Sequence, residues 1–523
     1  MKWAGVFAAW FLMAALFNHP ASAQEEWTEP EVASAPQTGR DEEARRRIAE
    51  LETKIRKMEA REAKAEEEKE SKFKFDLSGK YKIRYNVRDN FNFDHAGMRW
   101  KFDNRAFVDY RWQLRIESLW QSWQVVALMD KGNFTFDWKE DGEGTLERWG
   151  EFLTVRYALF RDLYVQYTGP FAVQIGRTNL TFGNDIVMEG PTDMVKVSVP
   201  MKSAAFGSGN FSLGYAALSG GYNTYSDFRK TGPPAGDRQQ VFQADNRLNG
   251  AFFSATVRPP SGMSRLELYA VKVLDNGDTG DADLNLDKDF DAGTVRRDGE
   301  FEPLWIGIAG KGTTSGVDWE FEGIRLGGSY AGGRNADANA IFVSARAPLK
   351  SSALARLVAG LEYARGSGNK VTDPAAGDVK DFNALFTCRD RKKFGNIFTE
   401  DVRAGFFLWE SNLANLTVYK VFMEASPAKK VVITPSFMLL RTTEDVYRGR
   451  GVVGDWSGGQ ATSTATTNEV GWEFDLNTTF PILERLEGFL NFGYFRPKDV
   501  YALPSGAHPR SAHEIVIGTE LKY

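Results

Sequence analysis

Hydrophobic and polar residues alternate along much of this chain, and the clearest run covers residues 73–87. Apolar side chains dominate its odd positions from Phe73 to Val87, and polar side chains fill the even positions from Lys74 to Asn86. A strand in a globular protein usually has five or six residues, whereas a tilted strand that crosses a membrane needs more. The segment 104–117 repeats the alternation in the opposite phase. The two runs therefore predict neighbouring strands of a transmembrane sheet.

Weaker alternation continues to the carboxyl terminus, where Ile515, Ile517 and Leu521 share one face. Residues 72–523 have room for about 18 strands if each strand with its connections takes roughly 25 residues, and barrels of 16 to 18 strands enclose an aqueous channel. The fold class is thus predicted to be an all-β transmembrane barrel of about 18 antiparallel strands. The aromatic residue at the chain end, Tyr523, resembles the assembly signal of bacterial outer-membrane proteins, in which Phe is commoner.

The amino-terminal region has a different pattern. Residues 1–23 combine Lys2, an apolar stretch and the sequence Ala21-Ser22-Ala23, which predicts a secretory signal peptide rather than an uncleaved anchor. Residues 24–40 predict a flexible linker. In 41–71, apolar residues are spaced alternately by four and three, which favours a short periplasmic helix with coiled-coil character that self-associates or binds a periplasmic partner. A single solvated charged helix is the alternative.

Composition supports the membrane prediction without proving it. The formal charge is −5 and the mean hydropathy is −0.39, but a barrel needs apolar residues only at every second position. Aromatic residues make up 13% of the chain, which suits the aromatic girdles of such barrels. Cys388 is the only cysteine, so a disulfide-stapled secreted module is excluded. The predicted location is the outer membrane of a Gram-negative bacterium, in contact with its lipid and lipopolysaccharide.

Charged residues on the polar faces of three predicted strands indicate a basic lumen. Eight basic residues stand against three acidic ones, Asp76, Asp109 and Glu117. Cation–anion pairs between strands would make some of this charge purely structural. The surplus favours anions, because arginine presents a planar fork to carboxylates and phosphates. The eight basic residues are Lys74, Lys80, Lys82, Arg84, Arg105, Arg111, Arg115 and Arg156.

Motifs for other chemistries are missing from the sequence. No G-x-S-x-G or H-E-x-x-H occurs, and only three histidines follow the predicted signal peptide, so an enzyme is not expected. The acid-rich segment 275–292 departs from a calcium loop at Leu286 and Ala292, so it is interpreted as a solvated loop. No metal or cofactor site is predicted.

Two stretches resemble the alginate export family of outer-membrane porins. The first covers 161–191, with Gly176-Arg177 followed by Gly183 and Asp185; the second joins DFNALF at 381–386, Phe394-Gly395, SNLANL at 411–416 and EDVY at 444–447. The resemblance implies an arginine-rich barrel of 18 strands that exports an acidic polysaccharide, and it adds Arg177 to the candidate lumen residues. The chain departs from the family at Asp185-Ile186-Val187 and Thr387-Cys388-Arg389, and in its heptad helix.

These patterns predict an outer-membrane channel that passes anionic solutes or an acidic polysaccharide through a basic lumen. The alternative is a structural barrel that the heptad helix tethers to the cell wall or to a periplasmic partner.

Overall fold

The computed structural model describes residues 49–59, 73–91, 93–94, 105–135, 160–203, 207–218, 248–259, 263–275, 301–330, 333–373, 377–384, 394–398, 413–449 and 463–523. Side chains are described in these ranges except at positions 105, 131–135, 248, 275, 301 and 330. The predicted signal peptide, the linker, the acid-rich loop except its first residue, Arg156 and Cys388 lie outside the described residues. Within them, no helix is long and apolar enough to cross a membrane.

Residues 71–523 form one compact unit, whose described part is a closed antiparallel barrel of 18 strands. Each strand pairs with the next along the chain, and the last strand pairs with the first. A two-residue strand, Arg334–Asn335, extends the hairpin after β11. The strands are β1 Lys74–Asp89, β2 Arg105–Trp120, β3 Trp123–Thr135, β4 Phe160–Thr168, β5 Ala172–Thr181, β6 Glu189–Ser203, β7 Gly207–Ala217, β8 Leu248–Arg258, β9 Met263–Asp275, β10 Phe301–Thr314, β11 Val317–Tyr330, β12 Ala338–Pro348, β13 Arg356–Gly366, β14 Leu416–Ser426, β15 Val432–Tyr447, β16 Thr466–Leu483, β17 Leu486–Pro497 and β18 Ala512–Lys522.

The alternation of side chains separates the two faces of the wall as the sequence predicts. On β1, Phe75, Leu77 and Tyr85 are exposed on the outside, whereas Asn86 and Arg88 are buried on the inside. In such a wall every strand forms its backbone hydrogen bonds inside the membrane, because closure leaves no unpaired sheet edge. The predicted 18-stranded barrel is therefore confirmed.

The two ends of the barrel differ in their connections. Hairpins such as β2–β3 and β16–β17 turn in two residues, and both chain ends of the barrel lie at this same end. The connections at the other end are mostly longer, including 367–415 between β13 and β14. Outer-membrane barrels place short turns in the periplasm and longer loops outside, which assigns the second end to the cell exterior.

The other compact unit, residues 1–70, contains a helix that is described at 49–59, and the barrel unit has a 3-10 helix at Asp499–Tyr501. Leu51, Ile55 and Met58 are each about half exposed along it. This spacing keeps them on one stripe. Its periplasmic position and coiled-coil association remain predictions.

Candidate functional site

The inner wall along β1–β4 carries a series of ion pairs that cross from strand to strand. Arg84 on β1 binds both carboxylate oxygens of Asp109 on β2, at 2.7 and 2.8 Å. Arg111 on β2 binds Asp130 on β3 in the same bidentate way, at 2.9 and 2.5 Å. Arg115 contacts Glu117 at 3.1 Å and Asp162 on β4 at 3.9 Å. We name this series, formed by Arg84, Arg111, Arg115 and their acids, the arginine ladder.

In the arginine ladder, the guanidinium groups are more exposed to the lumen than most of the carboxylates that they bind. The side chains of Arg84 and Asp109 are 23% and 6% exposed, and those of Arg111 and Asp130 are 37% and 9% exposed. Arg115 is likewise 34% exposed above Asp162 at 11%. Water inside the barrel therefore meets mainly the cations, while most of the acids that neutralise them lie beneath.

Two of the three lysines predicted for the lumen face of β1 also have contacts on the inner wall. Lys80 lies 3.9 Å from Glu520 on β18. The ammonium of Lys82 lies 4.6 Å from the ring centroid of Phe489, in cation–π geometry. The sequence count of eight bases against three acids thus overestimated the charge of the wall, because Asp130, Asp162 and Glu520 come from strands outside that count.

Arg177 lies on the outer face, and its predicted place in the lumen is wrong. It shares this face with Val173 and Ile175, and its cross-strand neighbours are Leu163 on β4 and Asp193 on β6. No register shift interrupts the pairing, so strict alternation holds. Arg177 binds Asp193 through two hydrogen bonds of 2.9 and 2.7 Å.

Two of the predicted lumen residues cannot be placed by their side chains. Arg156 lies outside the described residues. Arg105 is the first residue of β2, opposite Arg88 in the register, and only its backbone is described. Their part in anion selection stays a prediction.

Sequence reasoning missed Lys196, a further cation on the inner wall at β6. It lies between Gln174 and Gly214 in the cross-strand register, on the inner face with buried Met194. No hydrogen bond or ion pair joins it to any described residue. Its signal in the sequence was the alternation Met194, Lys196, Ser198 on β6, which is interrupted by Pro200 and is weaker than that of β1.

A segment between β5 and β6 folds into the barrel and packs against the opposite wall. The backbone N–H of Asn184 donates to Glu322 on the inner face of β11, at 2.6 Å, and the Tyr269 hydroxyl donates to the same carboxylate at 2.5 Å. Gly183 has φ +60°, and a Cβ there would come within 2.0 Å of Glu322. We call residues 182–188 the first inner segment. Phe182, Ile186, Val187 and Met188 in it are buried.

The connection between β13 and β14 contributes two more stretches inside the barrel. The backbone N–H groups of Ile397 and Phe398 both donate to Glu473 on β16, each at 2.8 Å. The carbonyl of Asn383 accepts a 2.8 Å hydrogen bond from the indole of Trp305 on β10. We call residues 381–384 and 394–398 the second inner segment.

Both inner segments contain residues that carry the family resemblance. Gly183 and Asp185 belong to the first, and Asp381–Ala384 with Phe394-Gly395 belong to the second. In the structure, the two segments cover the inner faces of β9–β11 and β15–β16. The ladder on β1–β4 is left as a water-exposed part of the described wall.

Among the described residues, no group of three or more His, Cys, Asp or Glu side chains is placed to hold a metal ion.

Comparison with known proteins gives one family and several structures. The family model described as alginate export matches residues 73–515. No curated protein sequence matches the chain significantly. Similar solved structures include the outer membrane protein OprD from Pseudomonas aeruginosa, at 8% identity over 86% of this chain and 94% of that one, with a TM-score of 0.44. OccK2 (OpdF) of the same organism in complex with glucuronate has 9% identity, 86% and 98% coverage and a TM-score of 0.45. OccK11 (OpdR), also from this organism, has 10% identity, 86% and 96% coverage and a TM-score of 0.45.

Proposed function

Because the chain belongs to the alginate export family of outer-membrane channels, we propose that its own cargo is anionic: small anionic solutes or an acidic polysaccharide. The family and the fold are those of channel proteins rather than enzymes.

The layering of the arginine ladder carries this proposal. A solute in the lumen approaches Arg111 and Arg115 before it reaches the carboxylates below them. Each buried acid holds its arginine in place and leaves part of the guanidinium directed at the lumen. Arginine keeps its charge at any physiological pH and has five N–H donors, so a paired arginine can still donate a hydrogen bond to a passing carboxylate.

A polymer with repeated carboxylate groups can bind to several of these arginines in turn. Arg111 and Arg115 lie four residues apart on β2, which is about 13 Å along a strand. Weak contacts repeated at this spacing let a chain move from one site to the next, since conduction requires binding that is favourable but easily released. Lys196 adds a cation on another part of the wall.

The experiment is a reversal-potential measurement in planar bilayers under a potassium chloride gradient. The wild-type channel is expected to prefer chloride, and R111Q/R115Q is expected to lose most of that preference. The matched control is R177Q/D193N, which removes an arginine and its acid from the outer face and should leave selectivity unchanged. Cation preference in the wild type, or unchanged selectivity in R111Q/R115Q, would overturn the proposal.

A further inference from the structure

The outer face of the barrel carries several charged residues near its exterior end, and most of them are paired within the protein. Arg177 binds Asp193 at 2.7 Å, and Lys272 binds Glu302 at 3.0 Å. Arg325 pairs with Asp337. Charge that faces hydrocarbon is costly, and the cost falls toward the interface. Pairing within the sheet reduces it further.

Arg365 on β13 and Arg441 on β15 differ from these paired residues. They lie on either side of Thr417 of β14 in one continuous register, Arg365 to Thr417 to Arg441. Neither forms a hydrogen bond or an ion pair with any described residue. The other neighbour of Arg365 is Ile341, and that of Arg441 is Glu469, whose carboxylate makes no ion pair with it.

The spacing of the two arginines suits a shared ligand. Neighbouring strands lie about 4.8 Å apart, so the Cα atoms of Arg365 and Arg441 are separated by roughly 10 Å. Arginine side chains are long and flexible enough to bring both guanidinium groups onto one anion. Thr417 between them is buried, which leaves the arginines as the polar surface of this row.

The rows beneath the arginines place them at the membrane boundary. The next outward row toward the periplasm is Tyr363, Tyr419 and Leu439, in which the two tyrosine rings are 5.3 Å apart. The row below that is Leu361, Val421 and Phe437, all exposed on the outer face. This order is expected on passing from the hydrocarbon to the headgroups, because apolar residues face the acyl chains, aromatic residues lie at the interface and cations lie beyond it. Arg365 is also the last residue but one of β13.

We propose that Arg365 and Arg441 bind a phosphate of a phosphorylated lipid headgroup in the outer leaflet. The guanidinium forks supply charge-assisted hydrogen bonds to phosphate oxygens, and the acyl chains of the same lipid lie along Leu361, Val421 and Phe437. The site uses the surface opposite the lumen, so it is independent of the cargo. Its function is to hold the barrel at a fixed height in an anionic leaflet.

The test is native mass spectrometry of the folded full-length protein in detergent with added bis-phosphorylated lipid A or its dephosphorylated form. The wild type is expected to retain the phosphorylated form preferentially. R365Q/R441Q is expected to bind this form with about tenfold lower affinity. R365K/R441K keeps the charge and should retain part of it, whereas E469Q should strengthen it by removing a nearby carboxylate. The matched control K272Q/E302Q, which neutralises a paired site on the same face, should bind as the wild type does.

Three results would overturn the proposal. They are equal binding of phosphorylated and dephosphorylated lipid A, undiminished binding by folded R365Q/R441Q, and displacement of the lipid by inorganic phosphate alone, which would assign the site to free phosphate. Migration of the unheated protein on SDS gels establishes that each variant is folded.

Discussion

The ring of Tyr523 lies directly over the backbone of Gly79, where the last residue of the chain meets the first strand of the barrel. A Cβ at Gly79 would lie 2.4 Å from the ring Cζ. The two backbones exchange hydrogen bonds of 3.0 and 3.1 Å, and the Tyr523 hydroxyl accepts a 2.9 Å bond from the indole of Trp112. The chain end thus fastens β18 to β1 and β2, where the barrel closes.

Substitution of Gly79 by Val should weaken this closure. The new side chain occupies the space of the Tyr523 ring, so the ring must leave Trp112 or the strands must separate. We expect a lower temperature for the loss of heat-resistant migration on SDS gels. G323A is the control, because the nearest atom to a Cβ there is 3.9 Å away; equal stability of G79V and G323A would contradict the close packing.

Removal of the hydroxyl alone tests why tyrosine stands at the chain end. Y523F keeps the ring over Gly79 and loses two hydrogen bonds, one accepted from Trp112 and one of 3.2 Å donated to the Gln113 carbonyl. We therefore expect a small destabilisation of about 0.5–1.5 kcal/mol for each bond. Denaturant titration monitored by tryptophan fluorescence measures it. A loss as large as that of G79V would mean that the hydroxyl, rather than the ring, closes the barrel.

Glu473 holds the second inner segment, so E473A should release it. Two buried N–H groups, of Ile397 and Phe398, lose their acceptor, at about 1–3 kcal/mol each. We expect larger or more variable single-channel conductance, since residues 394–398 are then free to leave the lumen. E484Q, in the exposed turn between β16 and β17, is the control; a conductance trace of E473A like that of the wild type would show that this contact does not restrict flow.

The Arg177–Asp193 pair faces away from the lumen, and this predicts an asymmetric effect of substitution. R177Q leaves Asp193 without its partner on the outer face and should destabilise the barrel by about 1–3 kcal/mol. R177Q/D193N removes both charges and should be close to neutral. A double-mutant cycle from unfolding in urea measures the difference, and purely additive effects would show that the pair contributes nothing.

The heptad helix is predicted to associate copies of the chain. Deletion of residues 41–71 should reduce the oligomer size on native electrophoresis and leave the barrel folded, because the closed hydrogen bonding begins at β1. An unchanged size would favour the alternative of a single solvated helix.

Asp373, outside the strands, has a pH-dependent contact. The Lys370 backbone N–H and then the Lys380 ammonium, at 2.9 and 3.0 Å, hold the pKa of its carboxyl below the usual value. A depressed carboxyl pKa stabilises the folded loop above the unfolded value near 3.9, and this contribution is lost as the pH falls through the folded pKa. The protection factor of the Lys370 amide, which compares its exchange rate with the intrinsic rate at each pH, should therefore fall in acid. D373N should abolish this pH dependence, and a protection factor that still falls in D373N would assign it to another group.

The strands were predictable where one short stretch of sequence contains the whole signal. The run from Phe73 to Val87 corresponds to β1, because alternation depends only on neighbouring residues. Ion pairing was not predictable in this way, since the partner of Arg111 is Asp130 on β3, and register comes from the assembled sheet. Strict alternation places Arg177 on the outer face, with Val173 and Ile175, whereas the family resemblance placed it in the lumen.

The inner segments show a different limit. The resemblance selected Gly183 and Phe394-Gly395, but their role depends on Glu322 and Glu473, which are far away in the chain. A sequence pattern does not tell a loop that extends outward from one that folds inward, because both contain glycine and apolar residues. The contacts that decide it form only when the barrel has closed.

Both inner segments are fastened through main-chain amides, at Asn184, Ile397 and Phe398, to carboxylates of the wall. Every amino acid except proline supplies such an amide, so these anchors persist when the side chains of Asn184, Ile397 and Phe398 are exchanged, provided that Gly183 and Gly395 leave room for the carboxylates. Mutation can therefore alter the lining of the passage while its framework stays attached. A descendant of this protein with a different cargo would need new side chains on these segments, but no new scaffold.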